Sequence, residues 1–220
     1  MTGMLSSGTS ALLAFQRALG TVSHNVANAS TPGYSRQRVD LAARPGHPAG
    51  NAGWVGQGVN VAALQRLADG LVFARQVDSS GELGRLSQLS ALAGRADALV
   101  SDPATGLGAQ WSAFFNAADA LSAEPGSSVA RDQLLATGGQ LAGRWRSLDG
   151  QLAALDQESG KRLQSTIADA NQLAQEIAGL NREIHAGGQN VAPDLLDARA
   201  LRIERLAGLV GAEAIAQDDG

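Results

Sequence analysis

The stretch Asn25-Val26-Ala27-Asn28-Ala29-Ser30-Thr31-Pro32-Gly33-Tyr34 sets how the N-terminal part of this chain folds, because it closes a regular heptad helix with a compact stop signal. Upstream of it, Leu5, Gly8, Leu12, Phe15, Leu19, Val22 and Val26 recur at alternating steps of three and four. That spacing is the seam of a coiled coil, narrower than the apolar stripe of an ordinary surface helix, so the helix requires a partner helix. Asn28, Ser30 and Thr31 favour side-chain-to-backbone bonds over continued helix. Pro32 drives Thr31 out of the helical region, and Gly33 admits a positive φ. The helix is predicted to stop near Asn28.

Downstream, the segment after Tyr34 alternates Arg36, Arg38 and Asp40 with Gln37, Val39 and Leu41 and then enters a Pro/Gly loop, which reads as extended chain. Four glycines then surround Trp54, and Val59 and Val61 succeed them at period two, the pattern of a glycine-turned hairpin. A phosphate-binding loop would need a strand before these glycines, a helix directly after them and usually a lysine, and none of that context is present. From Leu64 the spacing of Leu64, Leu67, Leu71 and Ala74 predicts a helix running to Ser101-Asp102-Pro103, weakened at Gly81 and Gly84. A shorter helix carries Leu107, Trp111, Phe114, Phe115 and Leu121 and stops at Glu124-Pro125-Gly126. Its three aromatics are expected to form the densest packing point of the bundle.

Ser127 or Ser128 can cap the next helix, which no proline interrupts before Gly187-Gly188. Leu141, Leu148 and Leu155 share one heptad position, but Leu173 and Leu180 share it only if four residues are inserted near Ser159 and Gly160, which is a stutter. At about 1.5 Å per residue this helix would span roughly 85 Å. A final helix runs from Asp194 to Val210, and the alternation Ala212 to Gln217 reads as the start of a strand, implying that the chain continues in a longer parent. The expected fold is mainly α. It has a coiled-coil helix with its Pro-Gly stop (1–33), an extended or hairpin arm (34–63), an elongated helical bundle (64–211) and an incipient strand (212–220).

Composition narrows the function classes. The 220 residues are 44% hydrophobic and 17% charged, within the globular range, but only 4% are aromatic, so the buried surface is expected along helix seams. A net charge of −4, with bases scattered and Lys161 as the one lysine, disfavours a nucleic-acid surface or a polybasic membrane anchor. No apolar run reaches the roughly 18 residues that span a bilayer. The polar face of the first helix carries Arg17 as its one charge, too little for anionic lipid. Without cysteine there is neither a disulfide framework nor a thiolate site. The N-terminus lacks the basic flank and apolar core of a secretory leader.

Candidate chemistry is sparse. His24 lies at the end of the heptad helix, His47 in a loop and His185 at a helix end, without ligand spacing, and no nucleophile elbow accompanies them. Asp197 and Arg199 are expected to make surface or interhelical ion pairs. No catalytic residue, cofactor or metal is predicted.

A coiled-coil helix stopped by Asn28, Thr31, Pro32, Gly33 and Tyr34 resembles the N-terminal signature of the axial proteins of the bacterial flagellum. Gly56, Gly58 and Val59, with Val61, Leu64, Arg66, Asp69, Leu71 and Arg75, resemble the second block of these proteins, where a strand turns into the first helix of the outer domain. The long helical continuation and the block Asp194-Leu195-Leu196-Asp197-x-Arg199 are similar to the hook-associated proteins that join hook to filament. The resemblance implies a structural subunit, exported by the type III route and extracellular. Its implied neighbours are the hook protein, the next hook-associated protein and copies of itself in an annular layer. In this resemblance Leu5, Leu12, Phe15, Leu19, Val22 and Val26 form the assembly interface. Family members pair this helix with a C-terminal heptad helix, which has no counterpart before Gly220. The alternatives are a hook or rod protein, with a β-rich outer domain, and a cytoplasmic coiled-coil adaptor.

Overall fold

The computed structural model describes residues 2–48, 53–101, 107–188 and 191–215. Its order is α1 (Thr2–Ala27), β1 (Gln37–Ala43), β2 (His47–Pro48), β3 (Trp54–Val55), β4 (Val59–Arg66), α2 (Gly70–Ser101), α3 (Leu107–Ala123), α4 (Ser128–Gly187) and α5 (Pro193–Val210). The fold is mainly α with a short strand region after the first helix. The chain divides into two compact units, one formed by residues 1–82 with 171–220 and the other by residues 83–170.

In the first unit the arm is an antiparallel hairpin. β1 pairs with β4 from Gln37↔Arg66 to Ala43↔Val59, and a register shift between Asp40 and Leu41 leaves Ala62 as the extra residue of a bulge. Beyond it β2 pairs with β3 through His47↔Val55 and Pro48↔Trp54. The strand carries on past the point where helix was expected: Leu64 pairs with Val39, and α2 begins only at Gly70. The spacing of three between Leu64 and Leu67 fits a helix and not the period of two of a strand, but here the ladder with β1 overrides it. The start of α2 is fixed by Asp69, whose Oδ1 accepts the backbone N–H of Leu71 at 2.8 Å and of Val72 at 3.2 Å.

α5 packs against the first turns of α2. Val77 is 1% exposed and Ala207 is fully buried. Gly81 permits this approach: a Cβ there would sit 3.4 Å from the Ala207 carbonyl oxygen and from Gly211 Cα. Gln76 and Ser80 both donate to Glu204 of α5, at 2.9 and 3.4 Å. On its other side α5 reaches the last turns of α4, where Arg202 donates to Glu176 at 2.7 Å and Arg199 to Asn181 at 3.2 Å. Glu176 is held below the usual carboxylate range, first by the hydrogen bond from Gln172 and then by that from Arg202. Beyond Gly211, residues 212–215 form no strand, and the remainder of that expected segment lies outside the described residues, as do Asp102 and Pro103.

The second unit consists of parts of α2 and α4 with all of α3. Among its described residues Ala117, Thr137 and Leu148 are buried. α4 is capped by Ser127, whose Oγ accepts the Ala130 N–H at 3.2 Å. Covered positions on α4 step from Leu141 through Leu148 to Leu155 and then continue at Ser159 and Thr166, four residues out of phase. Leu163 is left exposed by this shift. That is the stutter expected from the sequence. Arg95 of α2 pairs with Glu158 at the same level, and its hydrogen bond holds the Glu158 carboxyl low. The aromatic cluster differs from expectation. Trp111 and Phe115 meet at a tilt with ring centroids 5.6 Å apart and Phe114 and Phe115 meet edge-on at 5.5 Å, yet Trp111 and Phe115 remain 47% and 49% exposed. Gathered on one flank of a single helix, the rings cover each other more than they fill a core, and only Phe114 lies over Gly138.

Candidate assembly surface

No described residue covers the apolar seam of α1. Leu5, Leu12, Phe15, Leu19, Val22 and Val26 are 73%, 60%, 65%, 71%, 56% and 73% exposed. Isolated exposed leucines need no explanation, but a continuous helical stripe of them marks an interaction surface. An adjacent flank of the same helix is covered. Ser7, Ala11, Ala14, Ala18, Thr21 and Asn25 also recur at steps of four and three, each one residue before a member of the apolar seam, and each is buried or half-buried. At about 100° per residue a displacement of one places them on the adjacent flank of the helix. Small side chains there let β1 and β4 lie close along the helix.

Both ends of this contact carry signature residues. Toward the N-terminal half, Gly58 has φ +89°, and a Cβ on it would overlap Ser10 Oγ and stand 3.1 Å from Ser7 Cα. Val59 donates its backbone N–H to that Ser10 oxygen at 3.2 Å, while the Ser10 hydroxyl donates to the Ser7 carbonyl at 2.8 Å. Gly56 has open space around it. Only a residue without a side chain fits between strand and helix at Gly58.

At the other end lies the Pro-Gly break. After Ala27 the chain leaves the helix through short turns: Thr31 N–H to Asn28 carbonyl at 2.9 Å and Tyr34 N–H to Thr31 carbonyl at 3.1 Å. The Asn28 amide caps the His24 carbonyl at 3.0 Å, and the Thr31 hydroxyl donates to Asn28 Oδ1 at 3.2 Å. Gly33 has φ +77°, and a Cβ there would lie 3.1 Å from Leu201 Cβ of α5. Pro32 and Thr31 remain exposed.

Asn25 anchors the start of β1. Its Oδ1 accepts the Gln37 N–H at 2.8 Å and the Tyr34 hydroxyl at 2.7 Å, while its Nδ2 donates to the Gln37 carbonyl at 2.9 Å. One amide thus mimics a strand partner for Gln37, which is buried. Two carboxylates of α5 complete the cluster. Asp197, 7% exposed, accepts the Ser35 N–H at 2.8 Å and the Arg66 guanidinium at 2.6 Å. Asp194 accepts the Gln37 side-chain amide at 2.7 Å and stands 3.6 Å from His24 Nε2. The His24 ring meets Tyr34 edge-on at 5.4 Å. Burial first, then the charges of Asp194 and Asp197, push the Tyr34 phenol above its ordinary pKa.

Asp197 therefore departs from expectation: it pairs with a strand residue and a loop amide, not with a neighbouring helix. Arg199 meets an amide, Asn181, and not an acid. The sequence signal that would have located the covered face of α1 was its second, small-residue heptad. No spacing rule joins Asp194 and Asp197 to Ser35 and Gln37, because the pairing is 157 to 162 positions apart.

Residues 93–220 match the family described as flagellar hook-associated protein FlgK helical domain. The chain belongs to this FlgK family. Residues 5–34, α1 with its break, also match a family described as flagella basal body rod protein, so that this portion is a shared block. Among curated relatives, flagellar hook-associated protein 1 of Salmonella typhimurium is 32% identical over the full chain. The proteins of that name from Escherichia coli K12 and Bacillus subtilis 168 are 30% and 29% identical over 100% and 94% of the chain. The chain spans about 40% of the length of these relatives. No helix among the described residues is long and apolar enough to cross a membrane.

Proposed function

We propose that this chain is the N-terminal portion of a structural subunit of the bacterial flagellum, placed where hook meets filament and acting without turnover. Its partners are the hook protein on one side, the next hook-associated protein on the other, and copies of itself around the axis, outside the cell. The bare apolar seam of α1 carries this reading, set beside membership of the FlgK family. Leu5, Leu12, Phe15, Leu19, Val22 and Val26 are the contacts that α1 offers to other helices, and the hairpin arm holds α1 along the adjacent flank. Membership through the helical domain separates this reading from the hook and rod alternatives.

Leu12→Asp with Leu19→Asp tests it. Both side chains are more exposed than buried, so the purified chain should unfold at nearly the wild-type denaturant concentration. In cells the double variant should fail to be incorporated into flagella, since two charges would enter a dry seam. Normal incorporation and swimming would sink the assembly reading.

A further inference from the structure

We infer that Asp194 and Asp197 of α5 are positioning residues for α1, latching the first helix in one direction through Asn25, Tyr34, Ser35 and Gln37 and so deciding where its apolar seam is presented. The latch goes beyond the assembly reading and rests on it only for what the seam is for.

Three observations carry it. The face that α1 lays on the arm is built of Ser7, Ser10, Ala11, Ala14, Ala18 and Thr21, with Ala14 its one buried apolar residue. So little apolar area supplies weak directional preference. Next, the chain between α1 and β1 contains its own pivot, Gly33 at φ +77°. Last, the polar bonds that could fix the pivot converge on one α5 turn: Ser35 and Arg66 on Asp197, Gln37 on Asp194, and Gln37 and Tyr34 in turn on Asn25. Leu201, one turn further along α5, fills the space under Gly33. Hydrogen bonds to charged acceptors are shorter and stronger than neutral ones, so a few of them outweigh the soft contact along the helix. The direction of α1 consequently depends on a segment that lies 157 to 162 positions later in the chain. A chain whose α5 has not docked holds its seam without a defined direction, which makes latching a step that precedes ordered assembly.

The chain has no cysteine and one tyrosine, which gives two clean readouts. Spin labels placed by Ser6→Cys on α1 and Glu183→Cys on α4, both exposed sites of the same unit, report the direction of α1 by their distance distribution. In the 220-residue chain the latch predicts one narrow population, and Asp194→Asn with Asp197→Asn should broaden it by about twofold or more as alternative directions become populated. The tyrosinate absorbance, which comes from Tyr34 alone, should titrate at lower pH in that variant, and helical content should be unchanged. Should the loss of Asp197 unfold the unit, Asp194→Asn with Tyr34→Phe keeps the Arg66–Asp197 pair and decides the matter by the same broadening. An unchanged distance distribution in the folded variants overturns the inference. Broadened distances with normal incorporation into flagella would leave the latch standing and count against the assembly reading of the seam.

Discussion

α1 and α5 meet at Gly33, and they differ in what surrounds them. α1 turns large apolar side chains outward and small ones inward, so that of its described residues only Ser10 and Ala14 are buried. α5 is enclosed on nearly all sides, with Pro193, Asp197 and Ala207 buried and most of the positions between them half-buried. It touches the α1 exit, β4, α2 and the end of α4. Apolar surface in α5 therefore holds unit 1 together, whereas the apolar surface of α1 contributes nothing to the folded chain until another helix covers it. Hydrophobic content alone does not separate the two roles. The side on which it falls does.

Placing one substituent in both helices tests this difference most severely. Ala207→Asp would bury an unpaired carboxylate at a fully covered position and should cost about 3–5 kcal/mol, enough to unfold unit 1. Leu12→Asp should stay within about 0.5 kcal/mol in the same denaturation experiment, because the new charge remains in water. Equal losses at the two positions would mean that α1 packs as a core helix.

At the junction of the two helices Gly33→Val adds a β-branched side chain at φ +77° and crowds Leu201. The strain should be about 1–3 kcal/mol, read as reduced stability against denaturant together with lost motility in cells. Normal swimming and unchanged stability would show that the break needs no special backbone geometry.

A weaker signature distinguishes the two ends of α5 by their pH dependence. The folded state holds the Tyr34 phenol above its ordinary value of 10.0, so the associated stability is fully present below that value and is lost as pH rises through the folded pKa. Glu176, held below 4.5, has the opposite sign: its contribution is present above that value and disappears as pH falls through the folded pKa. Tyr34→Phe should remove the alkaline slope and leave the acid slope intact. An alkaline slope that persists in Tyr34→Phe would assign it to another group.

Features that depend on near neighbours were legible from the residues alone. These are the heptad seam of α1, its stop near Asn28, the need for glycine at 33, the extended character of the arm, a serine cap at 127 or 128 and the stutter in α4, because each is signalled by residues close together in the chain. The start of α2 was misplaced, since the spacing of Leu64 and Leu67 fits a helix whereas the pairing of Leu64 with Val39 carries the strand on to Arg66. Trp111 and Phe115 were overrated, because their size predicts burial but their neighbours leave them half in water. Long-range packing settled which heptad of α1 faces inward and which partners Asp194 and Asp197 take. Those choices are made by groups far apart in the chain that become neighbours only when α5 docks under the break, and no local spacing encodes a bond between Ser35 and Asp197.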